Sequence, residues 1–173
     1  MFSLEGKTAL VTGASGGIGS SIAYALAKQG ARLALSGSNS DKLRAFREQL
    51  NSEFGHDHVE ITCDLSNAKQ VEELIPATVD TLGSMNILVN NAGITRDNLA
   101  MRMKDEEWDD VIRINLEASF RLTALHDPER LNHVVLSHFF FQVDARHRRD
   151  GHGKHHARHA PHLIRMRARS GQG

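Results

Sequence analysis

Thr8-Ala9-Leu10-Val11-Thr12-Gly13-Ala14-Ser15-Gly16-Gly17-Ile18-Gly19 is the stretch whose reading decides the fold. Its first five residues are β-prone and apolar. From Ser20 to Lys28 the apolar positions Ile22, Ala23, Leu26 and Ala27 recur at helical spacing, with Gly30 as a stop signal. A strand, a glycine-rich turn and a helix therefore follow one another without a break. Glycine serves such a turn in two ways: it takes backbone angles closed to other residues, and it lets the main chain approach a pyrophosphate. A helix starting near Gly17 then aims its unpaired amide donors and the positive end of its dipole at the phosphates. Gly13, Ala14, Ser15, Gly16, Gly17, Ile18 and Gly19 are thus the candidate dinucleotide-binding turn.

The pattern continues outward from this turn. Leu33-Ala34-Leu35 reads as a second strand, Asp41 to Leu50 as a helix and His58 to Thr62 as a third strand. Ser66 is placed to cap a helix running to about Leu82. Met85 to Val89 forms a fourth strand, ending at Asn90-Asn91-Ala92-Gly93, and a further helix is predicted from about Asp105 to Leu122. Strands alternating with helices predict an α/β domain with a parallel, doubly wound sheet. After Thr123 the alternation stops. His133-Val134-Val135-Leu136, followed by Phe139-Phe140-Phe141, reads either as a strand or as a plain apolar run. From Ala145 to Gly173 no period is sustained, and this stretch is read as disordered or at best transiently helical.

Composition marks the same break. The chain has 173 residues, the length of about one domain, and its 21 basic and 21 acidic residues balance overall. Residues 1–123 nevertheless carry 12 Lys/Arg against 17 Asp/Glu, and residues 124–173 carry 9 against 4, with 9 of the 11 histidines. Two stretches of different origin or role are implied: 1–123 as a nucleotide-binding portion, and 124–173 as a basic His/Arg-rich tail. No apolar run approaches the length of a membrane helix, so no membrane partner is expected. Cys63 is the only cysteine, which excludes an intrachain disulfide and fits a reducing, cytoplasmic setting. Met1 to Lys7 leads straight into the first strand, so no removable leader is expected.

The turn Thr12 to Gly19 resembles the TGxxxGxG turn of the short-chain dehydrogenase/reductase family, a Rossmann-type fold. Three further segments resemble that family in the same order: Cys63-Asp64-Leu65, Asn90-Asn91-Ala92-Gly93 and Ile114-Asn115-Leu116. Within the family, Asn91-Ala92-Gly93-Ile94-Thr95-Arg96-Asp97-Asn98-Leu99, then Met101-Arg102-Met103 and Glu107-Trp108, resembles the 3-oxoacyl-[acyl-carrier-protein] reductases of bacterial fatty-acid synthesis. The resemblance covers about Leu4 to Thr123. It implies that Asp64 and Leu65 meet an adenine ring, that Asn91, Ala92 and Gly93 line the cofactor site, and that Asn115 is the Asn of a catalytic tetrad. It further implies reduction of a 3-oxoacyl thioester on acyl-carrier protein. The second strand ends in Ser36-Gly37-Ser38-Asn39, with no carboxylate to repel a 2′-phosphate, so NADP(H) is preferred to NAD with Ser38 near that phosphate. Asp41 keeps NAD open.

The family's proton donor is a Tyr whose pKa a Lys four residues on lowers, beside a Ser that orients the carbonyl. Tyr24-Ala25-Leu26-Ala27-Lys28 matches the letters, but it lies on the first helix as an ordinary i, i+4 surface pair. The family's spacing counted from Asn115 lands on Val143, His156 and Ala160, none of them the right residue, and Ser137 comes too early. Asn115 is the only tetrad member to carry over, and the chain is expected to be inactive. An Arg- and His-rich aperiodic tail is what a GC-rich gene yields in the wrong frame, so a frameshifted or truncated reductase is the expectation. Two alternatives stand beside it: an NADP(H)-binding remnant without catalysis, and a tail that binds divalent metal or nucleic acid through His152, His155, His156, His159 and His162. The family's oligomer interface is expected to be missing. The outer edge of the fourth strand is expected to lack its usual partner, with His133 to Leu136 the one run that could pair there by accident, leaving the protein marginally stable and prone to associate.

Overall fold

The computed structural model describes residues 3–96 and 102–125, together with the backbone of 134–137. Its elements run β1 (Thr8–Thr12), α1 (Gly17–Lys28), β2 (Arg32–Gly37), α2 (Ser40–Phe54), β3 (Val59–Thr62), α3 (Ala68–Leu82), β4 (Ile87–Asn90), α4 (Asp105–Val111), a π-helix (Ile112–Ala118), α5 (Ser119–Ala124) and β5 (Val134–Ser137). The strands form one parallel sheet in the order β3-β2-β1-β4-β5. The doubly wound parallel sheet expected from the strand–helix alternation is present.

Why the strands read as unbroken apolar runs is visible in the burial. Every residue of β1 and of β4 is buried, because helices cover both faces of the sheet. The period of two sorts side chains into two layers. Ala9, Val11, Leu33, Leu35, Ile87 and Val89 point to one face, where Ala23 and Ala27 of α1 and Leu43 and Leu50 of α2 meet them. Leu10, Ala34 and Leu88 point to the other, against Val71, Leu74 and Ile75 of α3 and Leu122 of α5. Leu10, Leu33, Leu35 and Leu88 are wholly inaccessible to solvent, and each such leucine contributes about 2 kcal/mol of transfer free energy.

Four local expectations are corrected. Ser66 does not cap α3; Asn67 does, its Oδ1 accepting from the amides of Lys69 and Gln70, while the Ser66 hydroxyl turns back to Asp64 at 2.8 Å. Helix α2 outruns Asp41–Leu50 at both ends, because Asn39 caps it and Gly55, at φ 70°, closes it. The helix expected over Asp105–Leu122 is continuous in direction but widens to a π-helix over seven residues. Finally, the outer edge of β4 has a partner. β5 lies parallel to it in the register Ile87↔Val134, Leu88↔Val135, Val89↔Leu136 and Asn90↔Ser137, as the β-branched pair Val134-Val135 favours. Of the two readings of the His133 run, the strand is the one found, and it lies beyond Thr123. Among the described residues no helix is long and apolar enough to cross a membrane, and no cluster of three or more metal-ligating side chains occurs.

Candidate cofactor cleft

Open α/β sheets bind ligands beyond the carboxyl ends of their strands, where the chain leaves the central strand in both directions. Here β1 is that strand, and above its end lies a cleft of about 530 Å³. Three walls enclose it. Gly13, Gly16, Gly17, Ile18 and Gly19 make the first, Gly37, Ser38, Cys63, Asp64 and Leu65 the second, and Asn91, Ala92, Gly93, Ile94 and Ile114 the third.

The first wall owes its shape to missing side chains. Gly13 sits at φ 64°, and a Cβ there would lie 2.9 Å from the Ala92 Cα. A Cβ on Gly19 would fall on the Gly13 carbonyl oxygen and 2.6 Å from Asn91 Nδ2. Gly17 differs: a Cβ there meets nothing within 4 Å, and its backbone is unstrained. Gly16 precedes α1 in extended conformation and offers no side-chain cap, so the amides of the first helical turn have neither a helical acceptor nor a cap. Together with the helix dipole they form an anion-binding end. Ala14 and Ser15 stand apart from the rest of the turn. Ala14 is buried and its amide donates to the Ser36 carbonyl at 2.9 Å, tying the turn to β2; Ser15 directs its Oγ toward Gly37.

The second wall carries the only carboxylate on the cleft among the described residues, Asp64, whose Oδ1 accepts from the Ser66 amide and hydroxyl. No Lys or Arg lines the cleft among the described residues. Cys63 lies beside Asp64, and burial first, then that carboxylate, pushes its thiol up to about 11. A thiol held protonated in this way is a packing group rather than a nucleophile.

The third wall is built by side chains reaching for backbone. Thr12 Oγ1 accepts the amides of Asn91 and Ala92, each at 3.1 Å, and donates to the Val89 carbonyl at 3.2 Å. Asn91 Nδ2 answers by donating to the carbonyls of Thr12 and Gly13. Asn115, 1% exposed on the π-helix, accepts the Ile94 amide at 2.8 Å and donates to the Ile94 carbonyl at 2.9 Å. That double bond pins the chain leaving β4, and the amide packs close to Gly93, where a Cβ would lie 3.3 Å from Oδ1.

Eleven of the thirteen residues read from the sequence as cofactor-binding line this cleft, with Asn115 directly behind it. Sequence reasoning passed over Gly37, Cys63, Ile94 and Ile114 as lining residues, and Thr12 as the junction between the first and third walls. Each neighbours a residue that was singled out, which is the signal that could have found it. Tyr24 is absent from the cleft. Its hydroxyl donates to the Glu53 carboxylate, which holds the phenol above its ordinary pKa, and its ring meets Phe54 edge-on at 5.1 Å. The backbone of Ser137 lies opposite Asn90. Asp97 to Met101 of the family-like run, Val143, His156, Ala160 and the histidines of the tail lie outside the described residues.

The family model for short chain dehydrogenases matches residues 7–132. The 3-oxoacyl-[acyl-carrier-protein] reductase of Staphylococcus aureus is 46% identical over 126 residues, which are 72% of this chain and 51% of that protein. The chain spans about half the length of the curated relatives it matches. Among solved structures, a short-chain type dehydrogenase/reductase from Mycobacterium marinum superposes with a TM-score of 0.73 at 30% identity, over 79% of this chain and 56% of that one. A short chain dehydrogenase from Burkholderia cenocepacia, in complex with NADP, gives 0.68 at 30% identity, over 70% and 50%. A sheet of this order, a cleft walled by these glycines and a family match over most of the chain lead to one assignment: the protein belongs to the short-chain dehydrogenase/reductase family.

Proposed function

We propose that the cleft holds NADP(H), and that the chain is the cofactor-binding portion of a reductase of the 3-oxoacyl-[acyl-carrier-protein] type that does not itself reduce a ketone. One observation carries the first half. Gly19 is glycine because the fold leaves no room, but nothing in the fold requires glycine at Gly17, which faces the open cleft. A residue spared a side chain with empty space before it is a cradle for something larger, and at the free amides of α1 that something is a phosphate. In this reading Gly13 to Gly19 receive the pyrophosphate, Asp64 and Leu65 the adenine, and Asn91, Ala92 and Gly93 the nicotinamide end. Ser38 meets the 2′-phosphate, since no carboxylate on the second strand's end lines the cleft to repel it. The NADP in the Burkholderia relative supports this choice over NAD.

The bound cofactor supplies a hydride. What the chain's own residues supply is binding and orientation: Asn115 positions the third wall by holding Ile94. A proton donor is what the reaction lacks. No tyrosine lines the cleft among the described residues, and Tyr24 on α1 is engaged with Glu53 of α2. General acid catalysis is worth about 10²–10⁴-fold, so its loss removes useful turnover. Residues 1–123 are then the reductase portion and 124–173 the product of a frameshift or truncation, in a protein of reducing, cytoplasmic surroundings whose relatives are 3-oxoacyl-[acyl-carrier-protein] reductases.

Equilibrium dialysis with NADPH tests the cradle. The native chain should bind, and Gly17→Val should lose at least about 10-fold in affinity with its circular dichroism unchanged, because an intruding side chain displaces phosphate. Undiminished binding by Gly17→Val sinks the cofactor assignment. In the same samples, acetoacetyl thioester should drive no NADPH oxidation above background, and a rate typical of the family would refute the inactive reading. Genomic sequence around codons 120–130 tests the frameshift: another frame must restore Ser followed by Tyr-x-x-x-Lys.

A further inference from the structure

His58 stands one residue before β3 and is 2% exposed. Its Nδ1 accepts the Leu33 backbone N–H at 3.1 Å. Backbone pairing between β2 and β3 begins only at Ala34↔Val59, so the imidazole supplies the acceptor that Leu33 needs at the start of the ladder. A ring that accepts at Nδ1 is neutral and carries its proton on Nε2. That Nε2 is buried with no hydrogen-bond partner among the described residues. Asn51, near the end of α2, grips the same residue from the other side: Oδ1 accepts the His58 N–H at 2.8 Å and Nδ2 donates to the His58 carbonyl at 3.3 Å. One residue thus joins the last turns of α2, the start of β2 and the start of β3.

A positive charge is badly placed here. The His56 ring lies 5.7 Å away, and the Arg32 guanidinium, whose Nε donates to the Asp57 carbonyl at 2.9 Å, adds a cation; only the Asp57 carboxylate favours a charged ring. Burial above all, then His56 and Arg32, pushes the imidazole down to about 4.

We propose that His58 is an acid-released latch: neutral, it clips the end of α2 and the Leu33 amide to β3; protonated, it leaves its site and the β2–β3 edge opens while the central strands stay paired. The chemistry is direct. A proton on Nδ1 sets one N–H against another across 3.1 Å and leaves a cation in the core without a partner. The open form takes up its proton near the ordinary value of 6.5 and the latched form only near 4. The latched form therefore keeps its full advantage above about pH 6.5 and loses it progressively as the pH falls toward 4.

Amide exchange of the whole chain, followed by NMR and referred to intrinsic rates at each pH, reads the latch. Protection of the Leu33 amide should fall on the order of 100-fold between pH 7 and pH 4.5, with Leu10 and Leu88 unchanged. In His58→Asn the side-chain oxygen takes the place of Nδ1 and accepts the Leu33 N–H without titrating, and the fall should vanish. A flat Leu33 profile, an equal fall in His58→Asn, or parallel losses at Leu10 would each overturn the proposal. Should His58→Asn not fold, the ring proton resonance of His58 in the native chain decides: a midpoint near 4 supports the latch, and one near 6.5 overturns it.

Discussion

The two backbone walls of the cleft, the turn after β1 and the stretch after β4, are built on opposite terms. The turn is rigid because it contains nothing: at Gly13 and Gly19 the space a methyl would need is already taken by the Gly13 carbonyl, Ala92 and Asn91. The stretch after β4 is rigid because of what reaches into it. Thr12 and Asn115 satisfy the amides of Ala92 and Ile94 and the Ile94 carbonyl at the end of a parallel strand, and Thr12 shares the Asn91 amide with the Val89 carbonyl. An added carbon at Gly13 or Gly19 destroys the turn, and a removed oxygen loosens the stretch after β4. The contrast teaches that equal order in two walls of one site can have unequal tolerance: steric exclusion fails all at once, whereas a hydrogen-bond clasp can be replaced in part by water.

Substitutions rank accordingly. Gly19→Val should have the largest effect, because the obstructing atoms are backbone and cannot swing away; a loss of about 3 kcal/mol or more is expected, read as a lowered urea midpoint or no cooperative transition at all. A fully stable Gly19→Val chain would break the comparison outright. Asn115→Ala should cost about 2 kcal/mol, since it strips both polar groups of Ile94 of their partner, and should raise the exchange rate of the Ile94 amide while leaving that of Ala14 unchanged. If Ala14 loosened equally, the two walls would be one unit. The smallest change belongs to Gly16→Ser. The position has extended backbone and an uncapped helix after it, so a hydroxyl there should gain a few tenths of a kcal/mol in thermal stability. A large loss would mean that the turn tolerates no side chain anywhere.

The same division decides what could be read without coordinates. The glycine wall was legible because its information lies within eight consecutive letters, Thr12 to Gly19, and the strands because a sheet buried on both faces forces unbroken apolar runs such as Leu33-Ala34-Leu35. The clasp wall was legible only by analogy. Thr12 and Asn91 find each other across 79 positions, and no local rule announces that pairing. Neither does any residue preference announce the π-helix that carries Asn115, since Ile112 to Ala118 would sit equally well in an α-helix. Ser66 and Asn67 are both good caps side by side, and Asp64 settled the choice by engaging Ser66. β5 escaped a firm reading because four residues in an otherwise aperiodic stretch carry too little pattern to separate a strand from an apolar run.

The position of β1 has a consequence for how the protein is made. It precedes the other strands in the chain and ends up within the sheet, with β2 on one side and β4 on the other. Thr8 meets Asn86 across 78 positions. At about 5–20 residues per second on the ribosome, the β4 side of β1 waits roughly 4–16 seconds for its partner to emerge. Throughout that interval the β4 side of Ala9, Leu10 and Val11 is an apolar strand edge without its partner. The nascent chain therefore passes through a half-sheet with one sticky border, and a chaperone that binds short extended apolar segments would find its target there, before β4 arrives and the cleft exists.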